Sequence, residues 1–263
     1  MCKTEHLCFD FRHFVKLQTV SDQAKDDVQN FNKTTEMNYF DNKTNLKFFY
    51  EQNGLSGAFD TDNIYLENAF NEIYKIWLDN FKQIKTVNYL MIAEAPLWGN
   101  IKKYIYNPKT NNSQFFYRSD LGDILNRQID DKEDFIKICN EIGLLIVDIS
   151  PFPLNSKDTK INYSKNVNGS KKLSYKQYQQ LVRLTIPTFF ELKIRAITDK
   201  KSEHIKTFFR YARVKNNFED IISRVLVDYK IIKTQNDIGD ISQNGGGIDK
   251  TKFKEIIDKS PNR

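Results

Sequence analysis

A chain of 263 residues is long enough for one large α/β domain or two small ones, and its 40% hydrophobic residues can supply a packed core. The aromatic content of 13% excludes a disordered chain. No apolar run approaches the roughly 18 residues that a transmembrane helix needs, and the N-terminal MCKTEHLCFDF is too polar for a secretory signal. We therefore expect a soluble, cytoplasmic monomer with no membrane partner.

The net charge of +6 is distributed unevenly along the chain. Residues 157 to 183 hold seven basic residues, including Lys171 and Lys172, against one acidic residue. Residues 191 to 215 hold eight basic residues against three acidic ones, and three aromatic residues lie among them: Phe208, Phe209 and Tyr211. Because basic surfaces beside aromatic rings suit phosphate backbones and bases, these segments favour DNA as a partner. An ordinary solvated, lysine-rich surface is the alternative.

The three cysteines show no disulfide framework, so we interpret Cys2, Cys8 and Cys139 as free thiols. A metal site built from Cys2, Cys8, His6 and His13 is the alternative, since these residues offer two thiolates and two imidazoles. Their spacing matches no common zinc motif. The prediction is therefore that the protein holds neither a metal nor another cofactor.

The predicted elements begin with a polar segment, residues 1 to 60, which we expect to form short helices and loops packed on the main domain. From Thr61 onward, apolar residues at helical spacing predict a helix of about 20 residues. Its core face would consist of Phe70, Ile73, Tyr74, Trp77 and Phe81.

Two continuous apolar runs follow, Val87 to Ala93 and Gly143 to Ile149. Continuous hydrophobicity is typical of parallel strands that are covered on both faces. A helix predicted from Lys132 to Ile142 provides the crossover that two parallel strands require.

The second half of the chain continues this alternation. Ser174 is predicted to cap a helix that runs toward Pro187. Glu191 to Thr198 (ELKIRAIT) is interpreted as a third strand, Ser202 to Lys206 as an exposed helix and Phe218 to Tyr229 as a further helix. The order of elements predicts an α/β three-layer sandwich with a mostly parallel central sheet, spanning residues 61 to 263.

An acidic residue stands at the end of each of the first two strands, followed by a proline-containing loop. Glu94 precedes Pro96, and Asp148 precedes Pro151. In open parallel sheets, ligands bind beyond the carboxyl ends of the strands, so neighbouring strands would place both carboxylates in one crevice. We predict Glu94 and Asp148 as catalytic residues and Pro96 as part of the binding site. Capping a helix or pairing with a lysine is the alternative role for each acid.

The loop after Glu94 is rich in aromatic and amide side chains. Trp98, Phe115 and Phe116 could clamp a planar ring, while Asn100 could read the edge of that ring through hydrogen bonds. A place in the core is the alternative for any single aromatic residue.

The segment Ala93-Glu94-Ala95-Pro96 after a strand, the aromatics about twenty residues later and the second strand with its prolines together resemble the uracil-DNA glycosylase superfamily. The similarity is to the variant with a Gly-Glu-Ala-Pro-Gly pattern, and it covers roughly residues 88 to 155. It implies a uracil-DNA glycosylase-like fold, in which Glu94 or the loop after it positions the attacking water. It also implies that Phe115 or Phe116 stacks on an extruded base and that the second strand end reads that base through Asp148, Ser150 and Asn155.

The sequence departs from the family pattern at several positions. Ala93 and Leu97 replace the two glycines, and Asp148 stands where the family carries an asparagine. The late histidine-proline-serine loop of the family has no counterpart, and three cysteines cannot supply the four that hold an iron-sulfur cluster in related proteins.

A glycine-rich segment is the candidate replacement for that late loop, and it consists of Asn244, Gly245, Gly246 and Gly247. It precedes a helix predicted to be capped by Asp249, with Lys250 in the first turn. Successive backbone N–H groups and a helix N-terminus can bind a phosphate, so we assign these residues, with Lys171 and Lys172, to DNA binding. A flexible loop before a terminal helix is the alternative.

The sequence as a whole predicts a DNA glycosylase-like hydrolase that cleaves the N-glycosidic bond of a flipped base, normal or modified, in DNA. One alternative is a non-catalytic α/β module that binds nucleic acid or a nucleotide. The other is a hydrolase or transferase of a phosphorylated small molecule, with the glycine-rich segment as its anion site.

Overall fold

A computed structural model describes residues 37–110, 118–154, 158–163, 169–243 and 247–258. The chain divides into two units, Met1–Glu36 and Met37–Arg263, and all described residues belong to the second. The alternative metal site at Cys2, His6, Cys8 and His13 therefore lies outside the described residues, and the domain boundary at residue 60 stays a prediction.

Four parallel strands form the central sheet in the order β2-β1-β5-β6. Their bounds are Val87–Ala93 for β1, Leu144–Asp148 for β2, Lys201–Phe209 for β5 and Ile238–Asp240 for β6. Every residue of β2 and all but one of β1 are buried, as the continuous apolar runs predict. Two short strands, β3 (Ile161–Asn162) and β4 (Lys171–Lys172), form a separate parallel pair.

Helices surround this sheet and give the predicted three-layer α/β sandwich. In chain order they are α1 (Tyr39–Gln52), α2 (Ser56–Gln83), α3 (Arg118–Leu125), α4 (Lys132–Ile142), α5 (Tyr175–Thr185), α6 (Glu191–Ile197), α7 (Ala212–Asp228) and α8 (Lys250–Asp258). The helix α8 covers one face of the sheet, where the Tyr89 hydroxyl donates to the Ile257 carbonyl at 3.1 Å and the Phe208 and Phe253 rings lie 5.5 Å apart. No helix among these described elements is long and apolar enough to cross a membrane.

The helix predicted from Thr61 is α2, which is longer than expected at 28 residues. Four of the five predicted core residues on it are buried, and Tyr74 is half-buried. The crossover helix α4 has the predicted bounds, begins at the N-cap Asp131 and ends at Gly143 in the left-handed conformation (φ 75°). A Cβ at Gly143 would lie 2.3 Å from the Thr86 carbonyl oxygen, so the step from α4 into β2 requires glycine.

The interpretation of Glu191 to Thr198 as a strand was wrong, because α6 occupies residues 191 to 197. The helix α5, capped by Ser174 as predicted, does not stop at Pro187, since residues 186 to 190 form a π-helical segment that leads directly into α6. The changed hydrogen-bond register of a π-helix accommodates the proline. Lys193, Ile194 and Ile197 then face the interior at helical spacing.

The third strand of the sheet is β5, so the prediction of an exposed helix at Ser202 to Lys206 was also wrong. The last three residues of β5, Thr207, Phe208 and Phe209, are buried between β1 and β6. The strand propensity of these residues favours an extended backbone, and the charged residues before them continue the same strand.

Candidate functional site

The carboxyl ends of β1, β2 and β5 meet at one edge of the sheet, as predicted for the two acidic strand ends. Ala93 pairs with Asp148, and the ladder continues beyond the strands, with the Ser150 N–H donating to the Glu94 carbonyl at 3.0 Å. On the other side of β1, the Arg210 N–H donates to the Ile92 carbonyl at 2.9 Å. The loops after all three strands therefore begin side by side, with Glu94 in the middle.

The Glu94 carboxylate is held by two residues from different helices. The Tyr178 hydroxyl of α5 donates to Glu94 Oε1 at 2.5 Å, and the Arg213 Nε of α7 lies 3.3 Å from the same oxygen. The Arg213 guanidinium also lies 4.0 Å from the centre of the Tyr178 ring. With 23% of its side chain exposed, Glu94 is fixed in orientation and still open to solvent.

Burial, and secondarily the Glu94 carboxylate, raise the pKa of Tyr178 above its ordinary value. The hydroxyl consequently stays protonated throughout the physiological range and can act only as the donor to Glu94. Both contacts are made to Oε1, so among the described residues Oε2 is the oxygen left for a water or a substrate hydroxyl.

A second set of hydrogen-bonded side chains, around Ser150 and Tyr163, lies next to the contacts of Glu94. Ser150 is fully buried, and its hydroxyl lies 2.5 Å from the Tyr163 hydroxyl. The Tyr163 carbonyl accepts from Arg213 Nη2 at 3.3 Å, and the Tyr163 and Tyr178 rings meet edge to face at 5.4 Å. Ser150, predicted to read a base, is thus part of the packed support beneath Glu94.

Asp148 lies deeper than Glu94 and is only 5% exposed. Burial raises the pKa of this carboxyl, while the nearby Lys193 ammonium lowers it and Glu94 raises it further. Lys193, on α6, is fully buried, and its ammonium lies 4.1 Å from the centre of the Phe189 ring and 4.6 Å from that of Trp77. Burial lowers the pKa of Lys193, and Asp148 opposes that shift. The acid at the end of β2 therefore faces a buried cation.

The loop after Glu94 buries Trp98, the one predicted ring-clamping side chain that the structure describes. Pro96 and Trp98 are buried, and the Lys102 ammonium lies 5.3 Å from the Trp98 ring centre. The Gly99 N–H donates to the Tyr65 hydroxyl of α2 at 3.0 Å, while Asn100 is exposed. Three predicted binding residues lie outside the described residues: Phe115, Phe116 and Asn155.

The predicted DNA-binding residues are dispersed. Lys171 and Lys172 are exposed on β4, whereas Lys250 is paired with Asp123 at 2.6 Å and with Asp120 at 3.4 Å. The Gly247 carbonyl accepts from Arg210 Nη1 at 2.9 Å. Asn244, Gly245 and Gly246 lie outside the described residues.

The expectation that Phe208 and Phe209 lie among exposed basic residues was wrong, because both rings are fully buried. They occupy the end of β5, which is covered on both sides by β1 and β6. The nearby Tyr211 is half-buried.

Sequence reasoning missed the residues that surround the two acids. Tyr178 fell only within the helix predicted to begin at the Ser174 cap, Arg213 entered only a charge count, and Lys193 was placed in a strand. The one local signal is Lys193, which is a charged residue between apolar neighbours in Glu191 to Ile197. A buried lysine of this kind calls for an acidic partner.

A metal centre finds no support in the described part of the chain, where no group of three or more histidine, cysteine, aspartate or glutamate side chains could hold an ion. Cys139 is buried on α4, and burial raises the pKa of its thiol, which suits a core residue more than a reactive one.

The fold and the site together define an α/β protein with a parallel sheet and a partly exposed carboxylate, held by a tyrosine and an arginine, at the carboxyl edge of that sheet. Comparisons with protein-family models, curated proteins and solved structures found no match to this chain. The functional assignment therefore depends on the chemistry of the site.

Proposed function

We propose that this chain is a DNA glycosylase-like hydrolase, which cleaves the N-glycosidic bond of a base flipped out of DNA. The observation that carries the proposal is the position of Glu94, a partly exposed carboxylate at the end of the interior strand β1 and beside the end of β2. Ligands of open parallel sheets bind at this edge. The resemblance of Ala93 to Pro96 to the uracil-DNA glycosylase pattern supports the same role.

Cleavage of the N-glycosidic bond requires negative charge near the sugar and a group that orients water, and a carboxylate such as Glu94 can supply both. Breaking the bond between C1′ of the sugar and the base nitrogen leaves the electron pair on the base and positive charge on the sugar. Glu94 stabilises that charge and orients, through Oε2, a water that adds to C1′ and passes its proton to the carboxylate, while the departing base takes up a proton from solvent. Tyr178 and Arg213 keep the carboxylate in one orientation, which a positioned catalytic group needs.

Asp148 has a supporting role in this proposal. Because it is buried beside Lys193, it contributes to the electrostatic field beneath Glu94 without contacting the substrate. Lys171 and Lys172, whose side chains are exposed, are the proposed contacts to the phosphate backbone. Lys250 is less suited to that role, since two aspartates already pair with it.

The decisive experiment is base release from DNA containing normal, deaminated or hypermodified bases, with free bases detected by mass spectrometry. We expect a free base with the wild type and a loss of at least about 100-fold in its rate of release with Glu94→Gln, since general acid–base and electrostatic contributions have this size. DNA affinity should stay within a few fold, because the amide keeps the shape of the carboxylate.

Glu191→Gln is the matched control, because Glu191 also accepts a tyrosine hydroxyl, that of Tyr229 at 3.0 Å, but lies on α6 and makes none of the contacts described around Glu94. Its activity should equal that of the wild type. Base release by Glu94→Gln at the wild-type rate would remove Glu94 from the mechanism.

A non-catalytic nucleic-acid-binding module is the second candidate, and the ion pair between Glu94 and Arg213 is the observation that favours it. In such a module the ion pair fixes α7 against the end of β1, and no chemistry is needed. DNA binding that weakens steeply with salt, together with no released base from any DNA in the panel, would support this candidate over the enzyme.

A further inference from the structure

A cavity of about 1110 Å³ lies between α2 and α4, beside the start of β1. The loop after Glu94 borders it through Trp98, Tyr106 and Asn107. None of Glu94, Tyr178 and Arg213 is among its described lining residues. The volume is slightly above the range of about 300–1,000 Å³ that is usual for small-molecule sites. The cavity is therefore a separate candidate site for a ligand.

The charges around the cavity are balanced. Four acidic residues (Glu72, Asp79, Glu133 and Glu141) and four basic residues (Lys85, Lys102, Lys109 and Lys137) line it. Three of the acids form ion pairs with basic residues: Glu72 with Lys102, Asp79 with Lys75 and Glu141 with Arg127. Lys75 and Arg127 lie outside the lining, and the described lining residues themselves carry no net charge, which favours a neutral ligand over a phosphate.

Three asparagines from three different elements line the same cavity and carry buried amide atoms without a hydrogen-bond partner among the described residues. Asn80 of α2, which is 4% exposed, lacks a partner for both Oδ1 and Nδ2. Asn88 of β1 donates through Nδ2 to the Ile142 carbonyl at 3.0 Å, but its Oδ1 has no partner. Asn140 of α4 likewise has a buried Oδ1 without a partner.

Such groups are rare in folded proteins, since a buried polar atom without a hydrogen bond destabilises the fold. Here all three residues that carry these atoms line the cavity. The terminal torsion of an asparagine side chain is soft, so rotation of the amide can turn these atoms toward the cavity without moving the backbone. A ligand that forms hydrogen bonds with these amide atoms would remove the free-energy cost of leaving the atoms without partners.

We propose that this cavity binds a neutral small molecule that is rich in hydrogen-bond donors. Three of the four amide atoms without partners are oxygens, so the ligand must supply N–H or O–H groups. Trp98, Tyr106, Ile76 and Ile136 offer apolar surface to the rest of the molecule. The proposal does not depend on the glycosylase activity.

The test is isothermal titration calorimetry of the full chain with nucleosides, the corresponding nucleoside monophosphates, and neutral mono- and disaccharides. We expect at least one neutral probe to bind with a submillimolar Kd. Comparing nucleosides with sugars shows which of these two classes of donor-rich molecule the cavity prefers. A phosphate should not tighten binding. Asn80→Leu should weaken the affinity at least about tenfold, the usual effect of losing a hydrogen bond in a binding site.

A second measurement is independent of the ligand. Because leucine has nearly the shape of asparagine and needs no partner, Asn80→Leu should raise Tm by about 2–4 °C. Lys47→Met, which removes an exposed charge on α1 outside the cavity lining, is the control and should change the Kd less than about twofold.

Three results would overturn the proposal. One is the absence of binding by every neutral probe at millimolar concentration. Another is an affinity that Asn80→Leu leaves unchanged, with Asn140→Leu tested in its place if that variant does not fold. The third is a lower Tm for Asn80→Leu, because the amide would then have a partner in the free protein.

Discussion

Glu94 and Asp148 end neighbouring strands, yet their surroundings give them different properties. Glu94 is partly exposed and bonded to Tyr178 and Arg213, whereas Asp148 is buried beside Lys193. Burial of a charged group costs desolvation free energy, which an opposite charge nearby need not offset. At the scale of single residues, Asp148 and Lys193 therefore lower the stability while they place charge beneath the candidate site.

Lys193→Met should raise the pKa of Asp148 further and lower the free energy of unfolding at pH 7 by at least about 1 kcal/mol, because the nearby ammonium that favours the carboxylate is lost. The double variant Asp148→Leu/Lys193→Met should lose less than either single variant, since no buried charge remains. Urea denaturation of all three variants measures this coupling. Purely additive effects would show that the two charges do not interact.

The exposed pair of Lys75 and Asp79 is the matched control for that experiment. Removing its lysine should leave the free energy of unfolding nearly unchanged, because solvent screens an exposed ion pair.

At the scale of elements, the junction between α4 and β2 brings Asp148 to the same edge as Glu94. Gly143 ends the helix in a left-handed conformation, and its Cα lies against the Thr86 carbonyl just before β1. The register that pairs Ala93 with Asp148 begins at this point, with Tyr89 opposite Leu144.

Gly143→Ala should destabilise the protein by at least about 2 kcal/mol, because the methyl group adds a steric clash to the cost of a left-handed backbone. Gly54→Ala is the control for the backbone cost alone, since Gly54 also has a positive φ (65°) but has nothing within 4 Å of the added Cβ. Gly54→Ala should lose only about 1 kcal/mol. Equal midpoints of urea denaturation for the two variants would contradict the close approach at Thr86.

At the scale of the whole molecule, buried tyrosines are distributed through the core. Burial raises the pKa of six of them above the ordinary value: Tyr39, Tyr50, Tyr104, Tyr106, Tyr163 and Tyr178. Their hydroxyls stay protonated in the folded protein at pH values where an unfolded chain releases the protons. The unfolded state then binds fewer protons, so stability falls as pH rises above about 10.

Alkaline unfolding should consequently be steep. Each of these tyrosines lowers the free energy of unfolding by about 1.4 kcal/mol for each pH unit above 10, so six of them outweigh a typical stability within one to two units. Tyrosinate absorbance and far-ultraviolet circular dichroism should change together in a pH titration, whereas in urea the tyrosines should ionise near pH 10. Gradual ionisation with a retained native dichroism signal would contradict this prediction.

Much of the architecture follows from local patterns in the sequence. The apolar runs at Val87–Ala93 and Leu144–Asp148, the α4 helix between them and the Ser174 cap were all predicted, because periodicity and capping are properties of neighbouring residues. The same patterns predicted that Glu94 and Asp148 would lie at one edge. Glu191 to Ile197 was misassigned because seven residues with several apolar side chains suit a short helix as well as a strand.

Only the tertiary structure decided what surrounds each acid. Tyr178 lies 84 residues from Glu94 in the chain, and Arg213 reaches it from another helix, so no local pattern relates the three. The burial of Asp148 beside Lys193 and the convergence of Asn80, Asn88 and Asn140 on one cavity likewise depend on how separate elements pack. The sequence by itself determined the strands, the crossover helix and the shared edge through interactions between neighbours. Packing between distant segments determined which side chains contact the polar groups on which function depends. It also determined which of those groups are buried and which lack a hydrogen-bond partner among the described residues.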